Sequence, residues 1–342
     1  MTAKECVLVV GKFYVEGWAV HIAQTLENFG YDIVRLDPRP TLIDGGGNFG
    51  KFSNALYDIY LRSPNYEKAF AKKLLGVTED KNVKLVIVCH DFLTPRQVKA
   101  LKQHTLAKVV MWFPDAVLNF GKSMFLVSDY DAIYFKDTYL VSKIKDDYGI
   151  DAHYLPECCN PLVHRPVQLT SADLLKYGCD ITTAGNFNAP RMAILSHLLN
   201  YRIKVWGPPV PHWADDKEVL KLSQREFVAY EEKAKAFLGS KIVLNSIHLS
   251  EINGINVRTF EIAATGAFQL ASYKKDLELL FDVDKEIITF RNIGELKEKI
   301  AHYLNKEDER KRIGELAMSR VHREHTYAIR LTRMLRELKL RD

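Results

Sequence analysis

A cation and a carboxylate stand three residues apart near the start of a predicted helix. Arg258 and Glu261 lie between Asn256 and Ser272, where the pattern predicts a short helix and then a buried strand. Asn256 can cap the first turn, and Gly266 can end the helix. The amino end of a helix attracts phosphate, Arg258 would add a full positive charge, and Glu261 could accept hydrogen bonds from ribose hydroxyls. From spacing alone, an ordinary surface ion pair is the preferred interpretation.

Length and composition predict a folded protein of two domains. The chain has 342 residues, of which 47% are hydrophobic and 27% charged, and this size exceeds that of one common domain. No run approaches the roughly 20 apolar residues of a membrane span, and we expect no signal peptide because the chain enters a strand at once. The five cysteines form no zinc-type pair. Free thiols in a reducing cytoplasm are therefore expected.

The net charge of +5 is too small to indicate a nucleic-acid partner. The positive excess is concentrated near the end of the chain, at Arg320, Arg323, Arg330, Arg333, Arg336, Lys339 and Arg341. A solvated helix face is the preferred interpretation. A weak contact with an anionic membrane surface, which would make the protein membrane-peripheral, is the alternative.

Two predicted strands of the first half end in side chains that could act on a substrate. His90 follows the apolar run 85–89, and Asp115 follows the run 109–113. Ligands of parallel sheets gather at the carboxyl ends of the strands, so His90 is a candidate base or a partner of a sugar hydroxyl. Asp115 is a candidate base for an acceptor hydroxyl. A structural histidine and an N-cap for a helix near Phe120 are the alternatives.

Two motifs of the first half are rejected as phosphate or metal sites. The glycine cluster at 45–50 lacks the Lys-Ser/Thr of a P-loop, so we interpret it as a mobile loop near the cleft between the two expected domains. The triplet 129–131 has the letters of a DxD metal motif, but it precedes a strand where that motif would end one. Turn chemistry explains it better, and no metal site is predicted.

In the second half, a strand ending in Gly185 and Asn186 is followed by a helix that opens with Pro190 and Arg191. Gly185 would allow close approach of the backbone to a ligand. A surface arginine on an amphipathic helix is the alternative for Arg191. A later strand ends at Asn245, again where ligands gather.

The motif Asn256-x-Arg258-x-Phe260-Glu261-x-x-Ala264-x-Gly266, followed by an apolar strand, resembles the donor-binding segment of GT-B glycosyltransferases. It is most similar to the CgeB-like spore-maturation proteins with a glycosyl transferases group 1 domain. A strand, Leu-Pro and Asn-Pro at 153–161 resemble the crossover between the two GT-B domains, and the tripeptide 325–327 is also typical of CgeB-like proteins.

The resemblance implies an α/β fold of the GT-B class. Two Rossmann-like parallel-sheet domains would face a cleft, and the C-terminal helix would cross back to the first domain. The boundaries would give an acceptor-side domain at 1–165, a donor-binding domain at 166–324 and a tail helix at 325–342.

The resemblance also implies a function and a set of residues. A sugar would pass from a nucleotide-diphosphate donor to an acceptor hydroxyl without a metal and without a cofactor beyond the nucleotide sugar itself, with a hexosyltransferase-type enzyme expected. The acceptor, a glycan, protein, lipid or small molecule, is not identified. Catalysis would fall to His90 and Asp115. Donor contacts would come from Gly11, Lys12, Gly17, Gly185, Asn186, Arg191, Asn245, Asn253, Gly254, Asn256, Arg258 and Glu261.

One position departs from the retaining relatives, which carry two glutamates separated by seven residues. Glu261 matches the second, whereas the first falls on the amide Asn253, followed by the expected Gly254. The stereochemical course is therefore open. A GT-B-shaped binding protein without activity and a sugar-nucleotide epimerase of the same fold are the alternative functions.

Overall fold

The computed structural model describes residues 4–38, 63–116 and 123–341, and the statements below concern these residues. The glycine cluster at 45–50 and the predicted helix near Phe120 lie outside them. The chain forms two compact units. The first comprises the chain up to Phe135, Leu140–Leu155 and the chain from Leu331 onward, and the second comprises Lys136–Tyr139 and Pro156–Arg330. The domain boundaries predicted near 165 and 325 stay predictions.

The first unit is built on a six-stranded sheet in the order β2-β1-β3-β4-β5-β6, with every pair parallel. Its strands are β1 Cys6–Val10, β2 Asp32–Leu36, β3 Val83–Val88, β4 Lys108–Phe113, β5 Ala132–Phe135 and β6 Ala152–Tyr154. The helices along this part of the chain are α1 Trp18–Asn28, α2 Pro64–Gly76, α3 Pro95–Thr105 and α4 Thr138–Tyr148, with a 3₁₀ turn at Met124–Val127.

The second unit is built on a five-stranded parallel sheet in the order β11-β10-β9-β7-β8. Its strands are β7 Cys179–Ala184, β8 Ile203–Trp206, β9 Ser240–Asn245, β10 Gln269–Ser272 and β11 Ile288–Phe290. The helices along it are α5 Ser171–Tyr177, α6 Ala189–Leu195, α7 Lys217–Leu220, α8 Tyr230–Leu238, α9 Val257–Thr265, α10 Leu277–Leu280, α11 Ile293–Leu304 and α12 Glu307–Glu324. The last described helix is α13 Tyr327–Glu337.

The central strands of both sheets are apolar because both of their faces are covered. All five residues of β1 are buried, as are the last four of β3 and of β9. Such uninterrupted apolar runs are typical of parallel sheets between layers of helices. The buried sheets fix where the polar residues that follow each strand can lie.

The order of the second sheet places a topological switch between β7 and β9. The chain leaves β7 for β8 on one side of it and later returns to β9 on the other. Ligands of such sheets bind beside a switch of this kind, at the carboxyl ends of the strands.

The sequence also predicts a helix from Arg225 to Leu238, and this prediction is wrong in its first part, since α8 begins only at Tyr230. The segment 222–226 instead runs beside β8. The amide of Gln224 donates to the carbonyl oxygen of Val205 at 2.9 Å, and the amide of Gly207 donates to the carbonyl oxygen of Glu226 at 2.9 Å. Pairing with the edge strand thus competes successfully with helix formation.

Among the basic residues near the chain end, Arg320, Arg323 and Arg333 pair with glutamates. Arg320 contacts Glu286 at 3.0 Å, and Arg333 contacts Glu337 at 2.7 Å, while Arg330 is buried. The membrane-surface contact stays a prediction.

No helix among the described residues has the length and apolarity to cross a bilayer. All five cysteines are buried free thiols.

His325 is a neutral, buried histidine beneath α9. Its Nε2 lies 2.8 Å from the carbonyl oxygen of Leu280, and its Nδ1 lies 2.8 Å from Nη2 of Arg330. Because Arg330 can only donate, Nδ1 must accept and Nε2 must carry the proton. Burial, reinforced by Arg330, lowers the pKa of His325 to about 4.

We expect His325 to make the fold acid-sensitive. The pKa of His325 is about 4 in the folded state, below its ordinary value of 6.5. Its contribution to the free energy of unfolding is therefore complete above pH 6.5 and is lost as the pH falls toward 4. At pH 5 the loss is about 2 kcal/mol. Urea unfolding at pH 7.5 and pH 5 should show a smaller pH effect in His325→Gln than in the parent. His302→Gln, at an exposed histidine, is the control. If the free energy of unfolding changed equally between the two pH values in all three proteins, His325 would not be the acid-sensitive group.

Candidate functional site

The turn after β7 is shaped by a glycine that lies against an arginine of α9. Gly185 has φ +117°, and its amide donates to the carbonyl oxygen of Trp206 at 2.7 Å. A Cβ at this position would lie 2.4 Å from Nη1 of Arg258. Only glycine satisfies both the positive φ and the close approach of the guanidinium.

Arg191 folds back onto the same turn. The side chain of Asn188 caps α6 by accepting from the Arg191 amide at 3.0 Å. Nη1 of Arg191 donates to the carbonyl oxygen of Asn186 at 2.6 Å, and Nε donates to Oγ of Ser246 at 3.3 Å. The side chain is buried and forms no ion pair with any described residue. Burial, with the charge of Arg258, lowers the pKa of Arg191 to about 9.

Arg258 and Glu261 form the i,i+3 ion pair that their spacing allows, but the pair is not on the surface. The Glu261 side chain is only 6% exposed, and its Oε2 lies 3.6 Å from Nε of Arg258. Nζ of Lys233 lies 2.9 Å from Oε1, and Nε2 of His164 lies 3.6 Å from the same atom. Burial alone would raise the pKa of Glu261, but Lys233, His164 and Arg258 outweigh it and hold the pKa far below its usual range.

These residues form a cationic cluster, which we define as Arg191, Arg258, Lys233 and Glu261. Three positive charges and one negative charge leave it with +2 at neutral pH. Its members are buried or nearly so, except for the Arg258 side chain, which is 22% exposed. A partly desolvated excess of +2 favours an anion of about two negative charges.

The amino end of α9 is held at the sheet by an amide network. Nδ2 of Asn245 donates to Oγ1 of Thr259 at 3.0 Å, and Nδ2 of Asn256 donates to Oδ1 of Asn245 at 3.2 Å. Asn256 also caps the helix by accepting from the Thr259 amide at 3.1 Å. Asn245 and Asn256 thus bond to each other and fix the position from which Arg258 projects.

Asn253 and Gly254 lie on a loop whose amides face a carboxylate of the second unit. The amides of Ile252, Asn253 and Gly254 donate to Oδ2 of Asp137 at 3.1, 2.9 and 2.9 Å. A Cβ at 254 would lie 3.0 Å from Cβ of Asp137. The need for glycine here is explained by that contact.

In the first unit, His90 and Asp115 follow adjacent strands and interact electrostatically. The ring of His90 lies 4.4 Å from that of Phe113, centroid to centroid. Burial lowers the pKa of His90 to about 4, although Asp115 opposes the shift, and Lys12 adds to it. His90 is therefore neutral near pH 7, and its unprotonated nitrogen can accept a proton.

The remaining predicted residues of the first unit shape the turn after β1. Lys12 is exposed, with Nζ 5.9 Å from the ring centroid of Phe92. A Cβ on Gly11 would lie 2.6 Å from Cβ of Ala19, and one on Gly17 would lie 2.8 Å from the carbonyl oxygen of Tyr14. Both glycines are thus explained by packing around the start of α1.

Sequence reasoning missed several residues that the fold brings to these sites. Lys233 carried a signal, since it shares the buried face of α8 with Ala236 and Phe237, and a lysine on such a face requires a partner. The sequence around His164 and Asp137 contains no such signal, because both residues contact residues about a hundred positions away in the chain.

Comparison with known proteins supports the fold. Residues 191–336 match a family model described as glycosyl transferase-like, and no curated protein matches the sequence. Sucrose-phosphate synthase from Thermosynechococcus elongatus is 12% identical with a TM-score of 0.70, over 98% of this chain and 99% of that one. A glycosyltransferase from Rickettsia africae is 17% identical with a TM-score of 0.69, over 99% and 98%.

A third solved structure was determined with ligands. HepE from Anabaena in complex with UDP and glucose is 10% identical with a TM-score of 0.63, over 98% of this chain and 99% of that one. These likenesses cover both units and confirm the predicted fold, two Rossmann-like parallel-sheet domains of the GT-B class. The CgeB-like assignment stays a prediction.

We expect Gly185→Ala to destabilise the protein by about 1–3 kcal/mol, because alanine at this φ is strained and its Cβ collides with Arg258. Gly76→Ala is the matched control, since nothing lies within 4 Å of the Cβ it would add. Urea unfolding midpoints measure both. Equal midpoints for Gly185→Ala and the parent would show that the turn relaxes freely.

Proposed function

We propose that the protein is a glycosyltransferase that moves a sugar from a nucleoside-diphosphate donor to an acceptor hydroxyl. The proposal rests on the proximity of Arg191 and Arg258 at the end of β7. No described carboxylate forms an ion pair with Arg191. The matching family model spans both arginines, and a structural neighbour was solved with UDP-glucose.

The arginines suit the leaving group of this reaction. Negative charge develops on the departing diphosphate in the transition state, and preorganised cations stabilise it there. Arg258 is exposed enough to contact a phosphate. Arg191 is fixed behind it by Asn186 and Ser246, so its charge acts without reorganisation.

Glu261 suits the pentose of the donor. Its Oε2 has no hydrogen-bond donor among the described residues, whereas Oε1 is held by Lys233. A ribose hydroxyl would donate to Oε2, which would satisfy a buried acceptor that otherwise costs free energy.

The proposed reaction needs no divalent metal. In metal-dependent transferases a cation neutralises the diphosphate. Here the +2 charge of the cationic cluster takes that role, so we expect chelation with EDTA to leave the rate unchanged.

His90 is the proposed general base, with Asp115 beside it. A neutral imidazole can remove the proton from the acceptor hydroxyl as the sugar is transferred. Direct displacement of this kind belongs to an inverting enzyme. The amide at Asn253, where retaining relatives have a glutamate, is consistent with inversion.

Calorimetric titration with UDP, ADP, GDP and dTDP tests the donor site. We expect one of them to bind, and Arg258→Ala to weaken that binding by at least about tenfold, because a charge-assisted contact to phosphate is lost. Arg202→Ala is the control, since Arg202 is 73% exposed and pairs with Asp180. An Arg258→Ala variant that binds as tightly as the parent would remove the donor-site assignment.

Incubation with a panel of nucleotide sugars tests the reaction. Slow hydrolysis or transfer, unaffected by EDTA, is the expected result. Binding without turnover would favour a non-catalytic binding protein, and release of an altered sugar would favour an epimerase.

We expect His90→Ala to lower kcat by about 10²–10⁴-fold while donor binding is kept. The exposed His104→Ala is the control. Because the pKa of His90 is about 4, the acid limb of kcat/KM in the parent should fall near pH 4, where His90 becomes protonated, and not near 6.5. Unchanged kcat in His90→Ala would exclude it as the base.

A further inference from the structure

The buried ion pair between α8 and α9 needs an explanation beyond stability. The side chains of Lys233 and Glu261 are 7% and 6% exposed, and their charged atoms lie 2.9 Å apart. Removing two charges from water costs free energy that their attraction often fails to offset, so an apolar pair would stabilise the fold as well. The pair therefore points to a role at the neighbouring site.

The two oxygens of Glu261 have different surroundings. Oε1 contacts Lys233, and it also faces Nε2 of His164, the ring nitrogen that carries the proton because Nδ1 accepts from the Asn160 amide at 3.1 Å. Oε2 lies 3.6 Å from Nε of Arg258 and makes no hydrogen bond. At that distance the carboxylate attracts Arg258 without fixing it.

Nε of Arg258 also lacks an acceptor among the described residues. The guanidinium instead lies over Gly185, where Arg191 adds a like charge. If Glu261 bound Arg258 bidentately, as arginine and carboxylate prefer, the guanidinium would move away from this turn. The contact of Oε1 with Lys233 opposes such a rearrangement.

We propose that Lys233 is a positioning residue that holds Glu261 and thereby keeps Arg258 available to a diphosphate. The inference rests on the proposed donor site and adds a control on it. Lys233 would not contact the ligand. It would act by competing with Arg258 for the carboxylate.

Binding of inorganic pyrophosphate, and of the tightest nucleoside diphosphate among UDP, ADP, GDP and dTDP, tests this role by calorimetry. Lys233→Met frees Glu261 to capture Arg258, so pyrophosphate should bind at least about tenfold more weakly. Adding Glu261→Gln removes the capturing charge and should restore the binding of pyrophosphate, which has no ribose to contact Glu261, to within about threefold of the parent. Unchanged affinity in Lys233→Met, or no rescue in the double variant, would overturn the proposal.

Lys235→Met is the matched control on the same helix. Lys235 pairs with Glu231 at 3.2 Å and Asp173 at 3.4 Å, away from Glu261, so pyrophosphate affinity should not change. Should Lys233→Met fail to fold, Glu261→Gln alone decides. It should bind pyrophosphate at least as tightly as the parent, and weaker binding would refute the mechanism.

The parent protein separates this inference from the proposed function. If the parent binds none of the four nucleotides, the donor site itself falls, and the role of Lys233 falls with it. If the parent binds one and Lys233→Met binds it equally well, only the role of Lys233 falls.

Discussion

Burial of Arg191 beside the like-charged Arg258 is the constraint on which the candidate site of the second unit depends. Arg191 is removed from water, has no described carboxylate beside it and faces Arg258, so its charged form is destabilised. The fold maintains this arrangement through the cap at Asn188, the carbonyl of Asn186 and the hydroxyl of Ser246. An arrangement that costs free energy in the empty protein is one that an anion can relieve, as is common at functional sites.

The topology of the second sheet brings the two arginines together. The two arginines lie far apart in sequence, on α6 and α9, yet the order of the sheet brings β7 and β9 side by side. The helices that follow these strands therefore begin at the same edge. The amide network of Asn245 and Asn256 then fixes the first turn of α9 relative to β9, and with it the backbone position from which the Arg258 side chain projects.

Local signals made most of the fold predictable from the sequence. Apolar runs predicted the central strands, Asn256 and Gly266 predicted the two ends of α9, and Pro190 predicted the start of α6. The start of α8 was misplaced because nothing in the local sequence of 222–226 disfavours a helix. The conformation of this segment is determined by its pairing with β8. The burial of Glu261 was also hidden, since its compensating cation, Lys233, comes from another helix.

The position of a side chain is predictable where it follows a strand and unpredictable where distant segments meet. His90 and Asp115 became candidates because the carboxyl ends of parallel strands share an edge, and their catalytic roles stay predictions. Asp137 was missed because the amides of 252–254, from which it accepts, lie more than a hundred residues later in the chain. One sequence without its fold contains no signal for such a contact.

The pairing of residues 222–226 with β8 has a consequence for the behaviour of the protein in concentrated solution. An edge strand with free amides and carbonyls is a template on which another chain can add a strand and begin to aggregate. Here the backbone of Val205 and Gly207 is already bonded to the protein's own segment, and the opposite edge strand, β11, has only three residues. The second sheet therefore offers little exposed backbone for association with other copies.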